Sequence, residues 1–159
     1  MKRTITILLT LILMLSVLAG CGSESSTAAE ELDLNAVYQS IIDAQENADE
    51  IALLPEDNAE IIESFYEGLG AIELKQQLLY MHPVTGAPCE IMLVEVANED
   101  DVQAVKDIFA ARIALGSDDE FYPDNAAGWL NNAQVQSSGS YVAMLVLPEG
   151  CTIPENIFG

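Results

Sequence analysis

Apolar positions along the chain follow two rhythms. Leu34, Val37, Tyr38, Ile41 and Ile42 recur at helical spacing, with Asn35, Gln39, Asp43 and Glu46 on the opposite face and Asp33 where a cap is needed. Pro55 then breaks the chain. Asp57 and Glu60 stand at capping-box spacing ahead of Ile61, Ile62, Phe65 and Tyr66, which predicts a second, shorter helix ending near Gly68 and Gly70. Over 72–81 and 90–97 the composition shifts to strand formers, separated by a turn-rich segment from His82 through Pro83 and Gly86 to Pro88, so a hairpin with a loose loop is expected.

Asn98 is placed to cap a third helix whose first turn, Glu99, Asp100 and Asp101, puts acids where the helix dipole favours them. Val102, Val105, Ile108, Phe109 and Ile113 form its apolar stripe. Lys106 and Arg112 fall in its carboxyl half, as the dipole prefers, and the helix should stop near Gly116. After an acidic loop, Pro123 opens a short helix through Trp129 and Leu130, and 133–137 pairs tightly across Ser138 and Gly139 with 141–147. Segments 90–97 and 141–147 are apolar on both faces and are therefore expected as central strands. The order of elements predicts an α+β domain: a four-stranded, largely antiparallel sheet built as β-hairpin, helix, β-hairpin, with N-terminal helices packed on it.

The first residues read as an address. Lys2 and Arg3 precede a charge-free run over 5–17, too short for the about 20 residues of a membrane span, and the run ends in Leu18, Ala19, Gly20 and Cys21. This pattern resembles a bacterial lipobox. The resemblance implies cleavage between Gly20 and Cys21, lipidation of Cys21 and anchoring on the extracytoplasmic face of the cell membrane, with two acyl chains holding where one would not. The expected organisation is a signal peptide over 1–20, a lipidated cysteine and flexible tether over 21–32, and one extracytoplasmic domain over 33–159. The small, polar spacer 22–31 would reach roughly 17 Å as a flexible chain.

Charge narrows the function classes. The 159-residue chain holds 5 basic and 26 acidic residues, a formal net charge of -21. Removing 1–20 takes away Lys2 and Arg3 and no acid, so only Lys75, Lys106 and Arg112 offset the rest. Nucleic acid is not an expected partner, because phosphate recognition needs a basic footprint. Anionic lipid headgroups repel such a surface, so the lipid at Cys21 is the expected contact with the bilayer. A hydrophobic fraction of 50% supplies enough apolar surface for a packed core and excludes a disordered acidic tail.

Leu34-Asn35-Ala36-Val37-Tyr38, the passage from Glu90-Ile91-Met92-Leu93-Val94-Glu95-Val96 into 101–113, and Tyr122-Pro123 leading to Asn132-Ala133 and Gly139-Ser140-Tyr141-Val142 resemble small bacterial lipoproteins bearing DUF family four-three-five-eight. The resemblance spans about 33–148 and rests on apolar and turn residues. That family has no assigned activity, so the resemblance implies no catalytic residues. Similar proteins finish in a longer helix, whereas Pro148 and Pro154 here leave a short irregular tail.

Candidate chemistry is sparse. His82 is the single histidine, and a zinc site wants about four His or Cys ligands, so His82 is read as a solvent-facing loop residue and no metal site is assigned. No G-x-S-x-G or comparable elbow is present, and no catalytic constellation or cofactor is expected. Asp118, Asp119 and Glu120 with Asp124 and Asn125 form the densest oxygen-rich loop, but not with calcium-loop spacing. Cys89 and Cys151 are a candidate disulfide in an exported domain. Trp129 is read as closing the core edge, the alternative being an exposed aromatic group with Phe121 and Tyr122 that grips a sugar or a protein. The expected function is a membrane-anchored, non-catalytic domain that binds an envelope protein. A small-ligand or divalent-cation sensor is the alternative, and a hydrolase using paired carboxylates comes third.

Overall fold

In a computed structural model of the chain, which describes residues 31–48, 51–84 and 86–159, Asp33 takes the cap position and its carboxylate accepts the Asn35 N–H. Helix α1 follows over Leu34–Asp43 and buries Leu34, Val37 and Ile41, each contributing about 1.5–3 kcal/mol by leaving water. The expected leader 1–20, the cleavage between Gly20 and Cys21, lipidation of Cys21 and the tether up to residue 30 lie outside the described residues. The compact unit spans Leu32–Gly159. Among the described residues no helix is long and apolar enough to cross a membrane.

Strand β1 covers Leu54–Pro55, helix α2 Ala59–Phe65, strand β2 Leu74–Met81 and strand β3 Glu90–Val96. Helix α3 runs Val102–Ser117, helix α4 Pro123–Asn132, strand β4 Ala133–Ser138 and strand β5 Tyr141–Val146. The domain is α+β, but its antiparallel sheet has five strands rather than the expected four, in the order β1-β2-β3-β5-β4. The extra strand contains Pro55, read from sequence only as a break. An edge strand pairs on one side, so a residue without an N–H is tolerated there, and Glu56 N–H continues the pairing to the Leu79 carbonyl at 2.9 Å.

Two caps depart from expectation. Helix α2 starts at Ala59, so Asn58 and not Asp57 precedes its first turn, and the Asn58 side chain accepts the N–H groups of Glu60 and Ile61. Asn98 does cap, accepting the Asp100 N–H, but Glu99–Asp101 coils as a 3-10 turn before α3 begins.

Strand alternation explains why β3 and β5 are apolar throughout. Met92, Val94, Val96, Val142, Met144 and Val146 face a core completed by Ile62, Tyr66, Val105, Phe109 and Trp129 from the α2, α3 and α4 side. Ile91, Leu93, Ala143 and Leu145 face a second core closed by α1 and by Ile157 and Phe158 of the tail. The irregular tail therefore does the covering that a helix would. Gln136 fastens it, donating to the Pro154 carbonyl at 2.7 Å and accepting the Ile157 N–H at 3.3 Å.

The sheet has two chemically distinct ends. The chain joins it where Leu32 N–H donates to the Tyr141 hydroxyl and the Leu32 carbonyl accepts from Gln76, beside Glu95. At the other end, marked by Met81, Glu90 and Val146, lie the β2–β3 loop, the α3–α4 loop and the segment after β5.

Candidate functional site

The loop end is built on a buried ion pair absent from the sequence reading. Glu90, the first residue of β3, and Arg112, on α3, are 2% and 3% exposed. Arg112 Nη2 donates to Glu90 Oε2 at 2.6 Å and Nε donates to Oε1 at 3.0 Å, a two-pronged geometry that fixes both side chains. The Tyr66 hydroxyl donates to the same Oε1. Burial above all, and then the Glu90 charge, pushes the Tyr66 phenol well above 10.0, with Arg112 acting in the opposite sense. The guanidinium is stacked under Trp129 at 4.1 Å and near Phe65 at 4.8 Å from the ring centroids.

The sequence places Arg112 in the carboxyl half of its helix, where the dipole prefers a base; the structure puts it there and on the inward stripe Val105, Phe109, Arg112, Gly116. That spacing was the available signal, since a base falling on an apolar stripe implies a buried partner. Glu90 carried no comparable signal beyond being an acid opening an apolar strand.

Trp129 is fully buried, as its reading as a core-edge residue requires, and its indole N–H donates to the Gly86 carbonyl at 3.0 Å, tying α4 to the β2–β3 loop. Gly116 makes room for it: a Cβ there would fall 2.3 Å from the indole ring. His82 is half-buried rather than solvent-facing. Its Nδ1 accepts the Val84 N–H at 3.0 Å, and it serves to shape the loop.

Phe121 and Tyr122 part company with Trp129. Asp119 Oδ1 accepts both their N–H groups, at 2.9 and 3.0 Å, and the turn so formed holds Phe121 91% exposed and Tyr122 64% exposed. Asp119 also approaches Gly86, so this turn adjoins the loop that carries exposed Val84. The result is an apolar ledge set among Asp118, Glu120 and Asp124. Among the described residues no three His, Cys, Asp or Glu side chains converge as metal ligands, this loop included.

Cys89 is buried beside Glu90, and its thiol is pushed up to about 11 by burial first, with Cys151 and Glu90 adding to it. Cys151 follows β5 in the turn closed by its own N–H to the Pro148 carbonyl at 3.2 Å. It borders a small cavity of about 130 Å³ lined with Gln45, Pro148 and Glu149.

The two deeply buried carboxylates, Glu90 and Glu95, do not face each other. They lie on opposite faces of β3, separated by five residues or about 17 Å, beyond the span over which a carboxylate pair hydrolyses a glycoside. No family model, curated protein or solved structure matches this chain.

Proposed function

We propose that this protein is a lipid-anchored extracytoplasmic lipoprotein, of the kind its resemblance to DUF family four-three-five-eight implies, and that it binds an envelope protein without catalysis. The observation that carries the reading is Phe121, an aromatic side chain held out of the core on a turn that the fold goes to the length of bracing with Asp119. An apolar group of that exposure, set among acids, suits a partner that presents an apolar pocket with a cationic rim. Leu32, where the proposed tether would end, is pinned at the end of the sheet opposite the loops.

The test uses the full chain in its own cells. Labelling with a palmitate analogue should mark the protein and be lost in Cys21→Ala. Crosslinking with mass spectrometry should capture one envelope protein reproducibly, with recovery falling on the order of tenfold or more in Phe121→Ala, as truncation of an interface anchor does. Higher salt should weaken the capture as well. Failure of the label overturns the anchor; capture that is absent, or indifferent to Phe121, overturns the binding face.

A further inference from the structure

The two edges of the sheet are not equivalent. Strand β1 is two residues long, contains Pro55 and runs straight into Glu56 and Asp57, all features that discourage another strand from adding to it. Strand β4, at the other edge, has six residues, Ala133–Ser138, with neither proline nor charge. Among the described residues no backbone group pairs with its outer side.

The hairpin geometry says which groups are open. Gly139 has φ 54 and Ser140 has no positive φ, as in a type II′ two-residue turn. In such a hairpin Ser138 and Tyr141 exchange ladder bonds, and Gln136 and Gln134 follow suit with Ala143 and Leu145. The N–H and C=O groups of Ala133, Val135 and Ser137 therefore point away from the sheet, three donors and three acceptors in a row.

We infer that a second copy of this chain pairs with β4, antiparallel about a two-fold axis, to give one continuous sheet across the dimer. Charge selects the occupant. The chain is strongly acidic, and two copies repel wherever acids meet; from 125 to 148, however, there is no Asp, Glu, Lys or Arg, so β4 is a segment on which copies can meet strand to strand without opposing charge. The strand is also self-complementary. A register centred on Val135 sets Val135 against its own counterpart, Ala133 against Ser137 and Gln134 against Gln136, with uncharged side chains opposed throughout. This inference stands apart from the Phe121 ledge, and either can fail alone.

The test places a photo-crosslinker in the full chain in its own cells, as Gln134→p-benzoylphenylalanine. Irradiation should give a product of twice the chain mass whose peptides all belong to this protein. Ser137→Pro removes an outward N–H that makes no ladder bond, and two-fold symmetry removes it twice, so the product should fall on the order of tenfold. Should circular dichroism show that this variant misfolds, Ser137→Asp takes its place, introducing an acid on each copy and expected to reduce the product likewise. No product, a product containing another protein, or a self-product that survives the folded blocking variant overturns the inference.

Discussion

Strand β3 carries two buried acids, and the protein neutralises them in opposite styles. Glu90 is sealed: its partners Arg112 and Tyr66 are themselves buried, and Trp129 lies over the guanidinium. Glu95, five residues on and across the sheet, is 3% exposed, but its partner Lys75 is 49% exposed and holds it at 3.0 Å from the solvent side. Gln76 Nε2 adds a 2.8 Å bond. In the sealed site neither charge can fall back on water, so each depends wholly on the other; in the open site Lys75 can rehydrate without moving far.

The comparison breaks hardest at Arg112. Arg112→Met should cost about 3–5 kcal/mol in denaturant unfolding, because it strands a buried carboxylate. Adding Glu90→Leu and Tyr66→Phe should recover most of that loss, since a buried pair replaced whole by apolar groups leaves no charge unpaired. If the triple variant is no more stable than Arg112→Met, the cost lies in the lost stacking on Trp129 and Phe65 rather than in charge.

The roof over the sealed site comes next. Gly116→Ala forces a Cβ into the Trp129 ring, 2.3 Å away, and should destabilise by about 1–3 kcal/mol despite alanine's better helix propensity. Tyr66→Phe removes a hydrogen bond to a charged acceptor, a loss of about 1.5–3 kcal/mol. By contrast, Lys75→Met in the open site should cost only about 0.2–1 kcal/mol, discounted for the exposure of the lysine. A cost equal to that of Arg112→Met would show that the two sites are energetically alike after all.

How much of this was legible follows the range of each interaction along the chain. The Asp33 cap, the two central strands and the tight hairpin at Gly139 are local patterns, and all are present. Strand β1 is too short to have a periodicity, and it exists because β2 offers an edge to Leu54 and Pro55. Arg112 and Glu90 are 22 residues apart, and their pairing becomes visible only when α3 is laid on β3. The aromatic cluster illustrates the same limit: Phe121, Tyr122 and Trp129 are close in sequence, yet a turn on Asp119 and a gap at Gly116 send the first two outward and the third inward.

The finest test of the contrast is pH, because the two sites respond at opposite ends of the scale. Burial alone would raise the Glu95 carboxyl, but hydrogen bonds from Lys75, Gln76 and Tyr141, with the Lys75 charge, outweigh it and hold the group below its ordinary 4.5. A carboxyl lowered on folding contributes stability in full above its unfolded value and loses it as pH falls through the folded one, so the open site weakens in acid below about 4.5. The Tyr66 phenol is raised on folding; its contribution is full below 10.0 and is lost as pH climbs above that, so the sealed site weakens in alkali. Unfolding free energies measured across both limbs should therefore separate the variants: Lys75→Met flattens the acid limb relative to the parent, and Tyr66→Phe flattens the alkaline one. A Lys75→Met profile that runs parallel to the parent through the acid limb would mean that Gln76 and Tyr141 alone hold the Glu95 charge, and that the open site owes nothing to its lysine.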